Sequence, residues 1–131
     1  MNKIPDLASK PNIVETGNDS IVIRNALGYV KGGRTLDMDG FADAVVKAGH
    51  VIIKNSTTEE YKPMPVVNGA YDSLPDGYEY AGVLVGTVLA SAPFASILYA
   101  GEVNDEASPY SVASIKAAMK SALPQLVFMH D

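Results

Sequence analysis

The chain has 131 residues, 47% hydrophobic and 19% charged, which suffices for one hydrophobic core and excludes an intrinsically disordered protein. Its 15 acidic and 10 basic residues give a formal charge of −5, and the basic side chains are scattered, with Lys31 and Arg34 the nearest to a cluster, so the concentrated cationic face of a nucleic-acid binder is lacking. The absence of cysteine removes disulfides, thiolate metal sites and cysteine nucleophiles from consideration.

Residues 1–19 place Ile4, Leu7, Ile13 and Val14 as isolated apolar points among Pro5, Pro11, Gly17 and polar spacers. They read as an extended N-terminal arm that could span roughly 60 Å at about 3.3 Å per residue; a terminus that frays or tucks locally is the alternative. Met1-Asn2-Lys3-Ile4-Pro5-Asp6 has no apolar signal core, so secretion by a standard signal is not expected.

Residues 20–131 are expected to form a single β-rich domain. Ile21 and Ile23, then Leu27 and Tyr29, stand two residues apart on either side of Asn25 and predict one or two short strands. Lys31-Gly32-Gly33-Arg34 lacks the longer pattern of a phosphate loop and reads as a hairpin turn. Asp37-Met38-Asp39-Gly40 resembles the middle of a calcium loop. Aligning Gly40 with the sixth loop position, however, puts Thr35 first and Val46 twelfth, where a bidentate glutamate is required. Asp37 or Asp39 is instead expected to cap a short helical turn carrying Phe41, Val45 and Val46.

Gly49 suits a tight turn into the strand Val51-Ile52-Ile53. A polar tip over residues 55–60 then precedes a return from Tyr61, and Pro63 and Pro65, which cannot donate to a ladder, place that return on an edge or in an extended loop. Asn68-Gly69 and Ser73-Leu74-Pro75-Asp76-Gly77 are turn signals.

Two adjacent strands are predicted over 80–90 and 94–103, the first buried on both faces with Gly86 as its bulge. The apolar run from Ala81 to Ala100 is broken by Gly82, Gly86, Ser91, Pro93 and Ser96, so no membrane span is expected. Val112, Ile115, Met119, Ala122 and Leu123 recur at helical spacing after a cap at Ser108 or Ser111, and Pro124 ends the helix. Leu126-Val127-Phe128 predicts a final strand.

No nucleophile elbow, zinc-protease pair or dinucleotide fingerprint occurs. His50 and His130 are the only imidazoles; His50 reads as a partly buried hydrogen-bonding residue rather than a ligand. The loop carboxylates Asp72 and Asp76, with Glu79 and Glu102, have no diagnostic catalytic spacing. Tyr71, Tyr78 and Tyr80 lie close enough in sequence to form an aromatic contact patch for a sugar or a protein.

Taken in order, Ala48 to Ile53, Tyr61-Lys62-Pro63, Ala81-Gly82-Val83-Leu84, Gly101-Glu102-Val103, the Ile115–Pro124 helix and the last apolar strand form a succession of phrases that resembles the head fibre and capsid decoration proteins of tailed bacteriophages. The resemblance covers residues 20–131. The chain departs from it in a longer N-terminal half than the smallest decoration proteins have, and in lacking a fibrous C-terminal repeat.

The expected fold is mainly β (α+β), a compact antiparallel β-sandwich or small barrel with one C-terminal helix and the N-terminal arm. The resemblance implies a structural virion protein with no active site, cofactor or metal. It would sit on the outer capsid surface, after assembly in the host cytoplasm, with the major capsid protein and itself as partners, a trimer favoured over a dimer, and neither nucleic acid nor membrane. Ile4, Leu7, Ile13 and Val14 of the arm would dock on the capsid protein. The competing expectation is a small β-domain that binds host-surface glycans, or another protein, through Tyr71, Tyr78 and Tyr80. A carboxylate enzyme built on Glu79 or Glu102 is the third.

Overall fold

A computed structural model of the chain describes residues 19–130. The architecture is mainly β, with antiparallel sheets and one helix near the C-terminus, as expected. In chain order the strands are β1 (Ile23–Tyr29), β2 (Arg34–Thr35), β3 (Val45–Val46), β4 (Val51–Asn55), β5 (Tyr61–Pro63), β6 (Val66–Val67), β7 (Ala70–Tyr71), β8 (Tyr78–Leu84), β9 (Val88–Leu89), β10 (Phe94–Ala95), β11 (Ile97–Asn104) and β12 (Leu126–Met129). A 3₁₀ turn (Asp105–Ala107) and helix α1 (Lys116–Ala122) separate β11 from β12.

The main sheet has the order β1-β11-β8-β4-β5, with β12 joined to β11 in parallel. β2–β10, β3–β9 and β6–β7 form three separate two-stranded ribbons.

Alternating side chains divide the core in two, because successive residues of a strand face opposite sides of the sheet. Val51 and Ile53 of β4, Tyr80 and Val83 of β8, and Leu98 and Val103 of β11 join Val112 and Ile115, which precede α1, and Met119 within it in one cluster. Ile52, Leu84 and Ile97 point the other way, onto Leu36, Val46 and Ala95 from the ribbons. β4 and β8 are thus apolar on both sides because both sides are covered. The phase is corrected at Gly82, whose backbone passes so close to Leu98 that a Cβ would stand 2.1 Å from the Leu98 carbonyl oxygen, and the β4–β8 register shifts there.

Several local expectations hold. The β4–β5 hairpin turns through the polar tip, Pro63 lies on the edge strand β5, and Asn68-Gly69 turns β6 into β7 with both residues at positive φ. Gly49 has φ 90°, and a Cβ there would stand 2.5 Å from Val22 Cγ2. β8 and β11 are neighbours, as predicted.

Others are corrected. Lys31-Gly32-Gly33-Arg34 is a turn but closes no hairpin, since β1 pairs with β11 and β2 with β10. Val45 and Val46 form a strand rather than a helical turn. Asp37 Oδ1 accepts from the Asp39 amide at 3.1 Å in a local turn, and pairing with Val88 and Leu89 draws the valines into extended backbone. The strand expected over 80–90 ends at Leu84, and the glycine at its irregularity is Gly82, not Gly86. Helix α1 begins at Lys116, with no side-chain cap from Ser108 or Ser111. Val22 is fully buried while Ile21 is 50% exposed, and Ile23 is half-buried against the same core cluster as Val22, so of the expected apolar pair Ile23 faces inward and Ile21 does not. The proposed arm residues Ile4, Leu7, Ile13 and Val14 lie outside the described residues.

Candidate functional site

Two surfaces draw attention, a polar cleft beside His50 and an apolar end of the main sheet. The cleft, about 680 Å³, is bordered by Asp19, by the segment Phe41–Lys47, by His50 and Thr87, and by Ala107–Tyr110. Its floor follows from the tight turn at Gly49, which carries the His50 ring inward until it is 1% exposed.

His50 Nε2 donates to the Met64 carbonyl at 2.9 Å, because a carbonyl can only accept. This selects the neutral tautomer with Nδ1 as acceptor. The rings of Phe41, Tyr71 and Tyr110 meet the imidazole edge-on, with centroids 5.5, 5.3 and 5.7 Å away. Burial dominates the proton affinity of His50 and pushes its pKa down to about 4, against the smaller opposing pull of the Met64 carbonyl and the Asp43 carboxylate.

At the rim, the Tyr110 hydroxyl donates to Asp43 Oδ2 at 3.3 Å; burial first, then this carboxylate, raises the phenol pKa. Asp19 clamps Thr87, accepting from its amide at 2.9 Å and its hydroxyl at 2.7 Å. Thr87 Oγ1 in turn accepts from the Ala48 amide at 3.1 Å. The start of the described domain is thereby fastened to the loop after β8.

The second surface is the end of the sheet formed by β1, β11 and β12. Leu126 is buried and Val127 exposed, as strand alternation requires, and Tyr99, Val127 and Met129 are 42%, 47% and 37% exposed. Leu27 and Tyr29 on β1, with Ile21 just before it, are also exposed. The ring of Tyr99 lies over Gly28, where a Cβ would come within 2.9 Å of it. β1 forms one end of the sheet order, and its ladder with β11 is interrupted by three register shifts. Such irregularities twist an edge and spoil it as a template for another strand, so what this end offers to solvent is exposed apolar side chains rather than an open backbone ladder.

A third grouping lies near the C-terminus. Asp105 Oδ2 accepts from Lys116 Nζ at 2.9 Å and Oδ1 from His130 Nδ1 at 2.8 Å, and Glu106 stands 3.5 Å from His130 Nε2. The Lys116 bond, with a smaller share from His130, pulls the Asp105 pKa down to about 2; the Asp105 bond raises that of His130. The group ties the 3₁₀ turn to the helix and to the residue after β12.

The structure breaks up the expected tyrosine patch. Tyr71 and Tyr80 are 6% and 9% exposed and belong to the core, and the Tyr71 hydroxyl accepts from the Val51 amide at 3.1 Å. Only Tyr78 stays partly open, with Lys62 Nζ 5.2 Å from its ring centre. Alternation explains this: Tyr78 and Tyr80 share a face of β8, and that face packs on the core.

Glu79 and Glu102 are not brought together. Glu79 pairs with Lys54 across β4–β8 at 3.2 Å, Glu102 lies 3.9 Å from Arg24, and at the level of Glu102 the neighbour of β11 is β12 rather than β8.

Phe41, Asp43, Thr87 and Tyr110 did not stand out in the sequence as a group, since the contacts that assemble the cleft join residues 67 and 68 positions apart. No family model, curated protein or solved structure matches the chain.

Proposed function

We propose that the chain is a structural virion protein of the head fibre or decoration type, which binds the outer surface of a phage capsid through the major capsid protein and associates with itself, as a trimer in preference to a dimer. The observation that carries this reading is the exposed apolar end of the main sheet, with Leu27, Tyr29, Tyr99, Val127 and Met129 open to solvent. Large apolar side chains gathered in one region mark an interaction surface. A trimer would cover some of them on every copy, since closed symmetric association uses the same patches repeatedly.

The mechanism is cementing. A protein that bridges neighbouring capsid subunits strengthens the shell even when each contact is weak, because one engaged contact raises the effective concentration of the next. The acidic composition, with a formal charge of −5, favours solubility of a particle carrying many copies. The arm residues Ile4, Leu7, Ile13 and Val14 remain the proposed capsid anchor.

The test is molar mass by light scattering, followed by co-pelleting with capsids purified without this protein. A trimer that pellets at a fixed ratio to capsid subunits supports the proposal, and deletion of residues 1–16 should abolish pelleting. A monomer that stays in the supernatant would end it.

A further inference from the structure

We propose that the cleft beside His50 is a saccharide-binding site that takes a ring of a neutral glycan. The inference goes beyond the capsid role and does not depend on it. It also moves sugar recognition away from Tyr71, Tyr78 and Tyr80, which packing has consumed.

The size fits: about 680 Å³ falls within the roughly 300–1,000 Å³ of small-molecule sites. The walls fit as well. Phe41 and Tyr110 are half-buried and line the cleft, and their edge-on packing against His50 holds them in place. A fixed aromatic ring offers a flat apolar surface to the C–H face of a sugar at little cost in side-chain entropy.

The polar groups select hydroxyls. His50 Nε2 is turned to the Met64 carbonyl, which leaves Nδ1 as an acceptor with no partner among the described residues, on a ring 1% exposed. A buried acceptor of this kind calls for an O–H or N–H donor. Asp43 uses Oδ2 for Tyr110 and keeps its other oxygen as a second acceptor at the rim. Lys47 lines the cleft as a donor. A sugar hydroxyl both donates and accepts, so one ring can serve all three groups.

Charge narrows the class further. Asp19 is committed to Thr87, so Asp43 and Lys47 remain as opposite charges at the opening. A phosphate or carboxylate would meet Asp43 and a cationic amine would meet Lys47, whereas a neutral polyol is opposed by neither. The unprotonated state of His50 is maintained by its burial throughout the neutral range, so the acceptor is constant there.

The experiment is an amide NMR titration of the full chain with glucose, galactose, N-acetylglucosamine and rhamnose, and with inorganic phosphate and butylamine as charged probes. The expected result is saturable shifts for at least one sugar, centred on residues 41–50 and 107–110, with a dissociation constant in the millimolar range. Tyr110→Ala and Asp43→Asn should each weaken that binding roughly tenfold, about 1.4 kcal/mol, with thermal melts confirming that each variant is folded; Asp43 is exposed, so its variant is informative even if Tyr110→Ala fails to fold. Leu27→Asp, on the apolar end of the sheet, should leave binding intact. The proposal is overturned if no sugar shifts these resonances, if only phosphate or butylamine does, or if both cleft variants bind sugar as well as the parent. Loss of the sugar site alongside successful capsid pelleting would leave the virion proposal standing.

Discussion

The middle of the main sheet and its β1–β11–β12 end are made by the same rule of alternation and meet opposite fates. At β4 and β8 both faces are covered, by the helical segment and by the two-stranded ribbons. At the far end one face holds Leu126 and Val103 in the core while the other shows Tyr99, Val127 and Met129 to solvent. Burial of apolar side chains therefore sets stability in the first region and leaves exposed apolar surface in the second, and the two should respond differently to substitution.

The largest contrast should come from Gly82→Val. With a Cβ confronting the Leu98 carbonyl at φ 152°, the variant is expected to lose more than about 4 kcal/mol, visible as loss of soluble folded protein and of the β signal in circular dichroism. Ile53→Ala removes a fully buried side chain and should cost about 2–5 kcal/mol in urea unfolding.

Acid sharpens the comparison without a mutation. The folded-state pKa of His50 is lowered to about 4 from an unfolded value near 6.5, so the unfolded chain takes up the proton first. Its contribution, about 3 kcal/mol at most, is fully present above pH 6.5 and lost as pH falls towards 4. Asp105, held down to about 2, acts later: its contribution is present above the ordinary carboxylate range and fades as pH falls through that range towards 2. Urea midpoints at intervals from pH 7 to pH 2 would separate the two windows, and a flat profile between pH 6.5 and 4 would contradict the burial of His50.

Tyr71→Phe deprives the Val51 amide of its acceptor and should cost about 1–3 kcal/mol, with the β4–β5 hairpin amides exchanging faster. Smallest is Leu27→Asp. At 71% exposure it should change stability by less than about 0.5 kcal/mol yet weaken the proposed self-association in light scattering. Equal stability losses for Leu27→Asp and Ile53→Ala would erase the distinction between the two regions.

The features that were legible in the sequence are those that local chemistry enforces. Pro63 has no amide to donate, so β5 had to lie where a missing donor does no harm. Asn68-Gly69 tolerates the positive φ of its turn, and Ile115 and Met119 repeat at helical spacing before Pro124. The misreadings arose where a local signal had two solutions. Asp39-Gly40 serves a helix cap or a turn equally, and the β3–β9 pairing decided between them. Gly82 and Gly86 were both eligible as the irregular glycine, and only the approach of Leu98 distinguishes them. The tyrosines looked like a patch because sequence proximity does not reveal which face of β8 is covered. The cleft was invisible because nothing near Asp43 announces Tyr110.

The pairing of β1 with β11 also has a consequence in time. β1 is translated before its partner, which follows about 70 residues later, and such distant pairing is slow to form. At a ribosomal rate of roughly 5–20 residues per second, about 3–15 s pass in which Leu27 and Tyr29 travel on a strand with no ladder to join. A cell making many copies at once would hold a standing population of such nascent chains, so the yield of this protein should depend on chaperone capacity more steeply than its final stability would suggest.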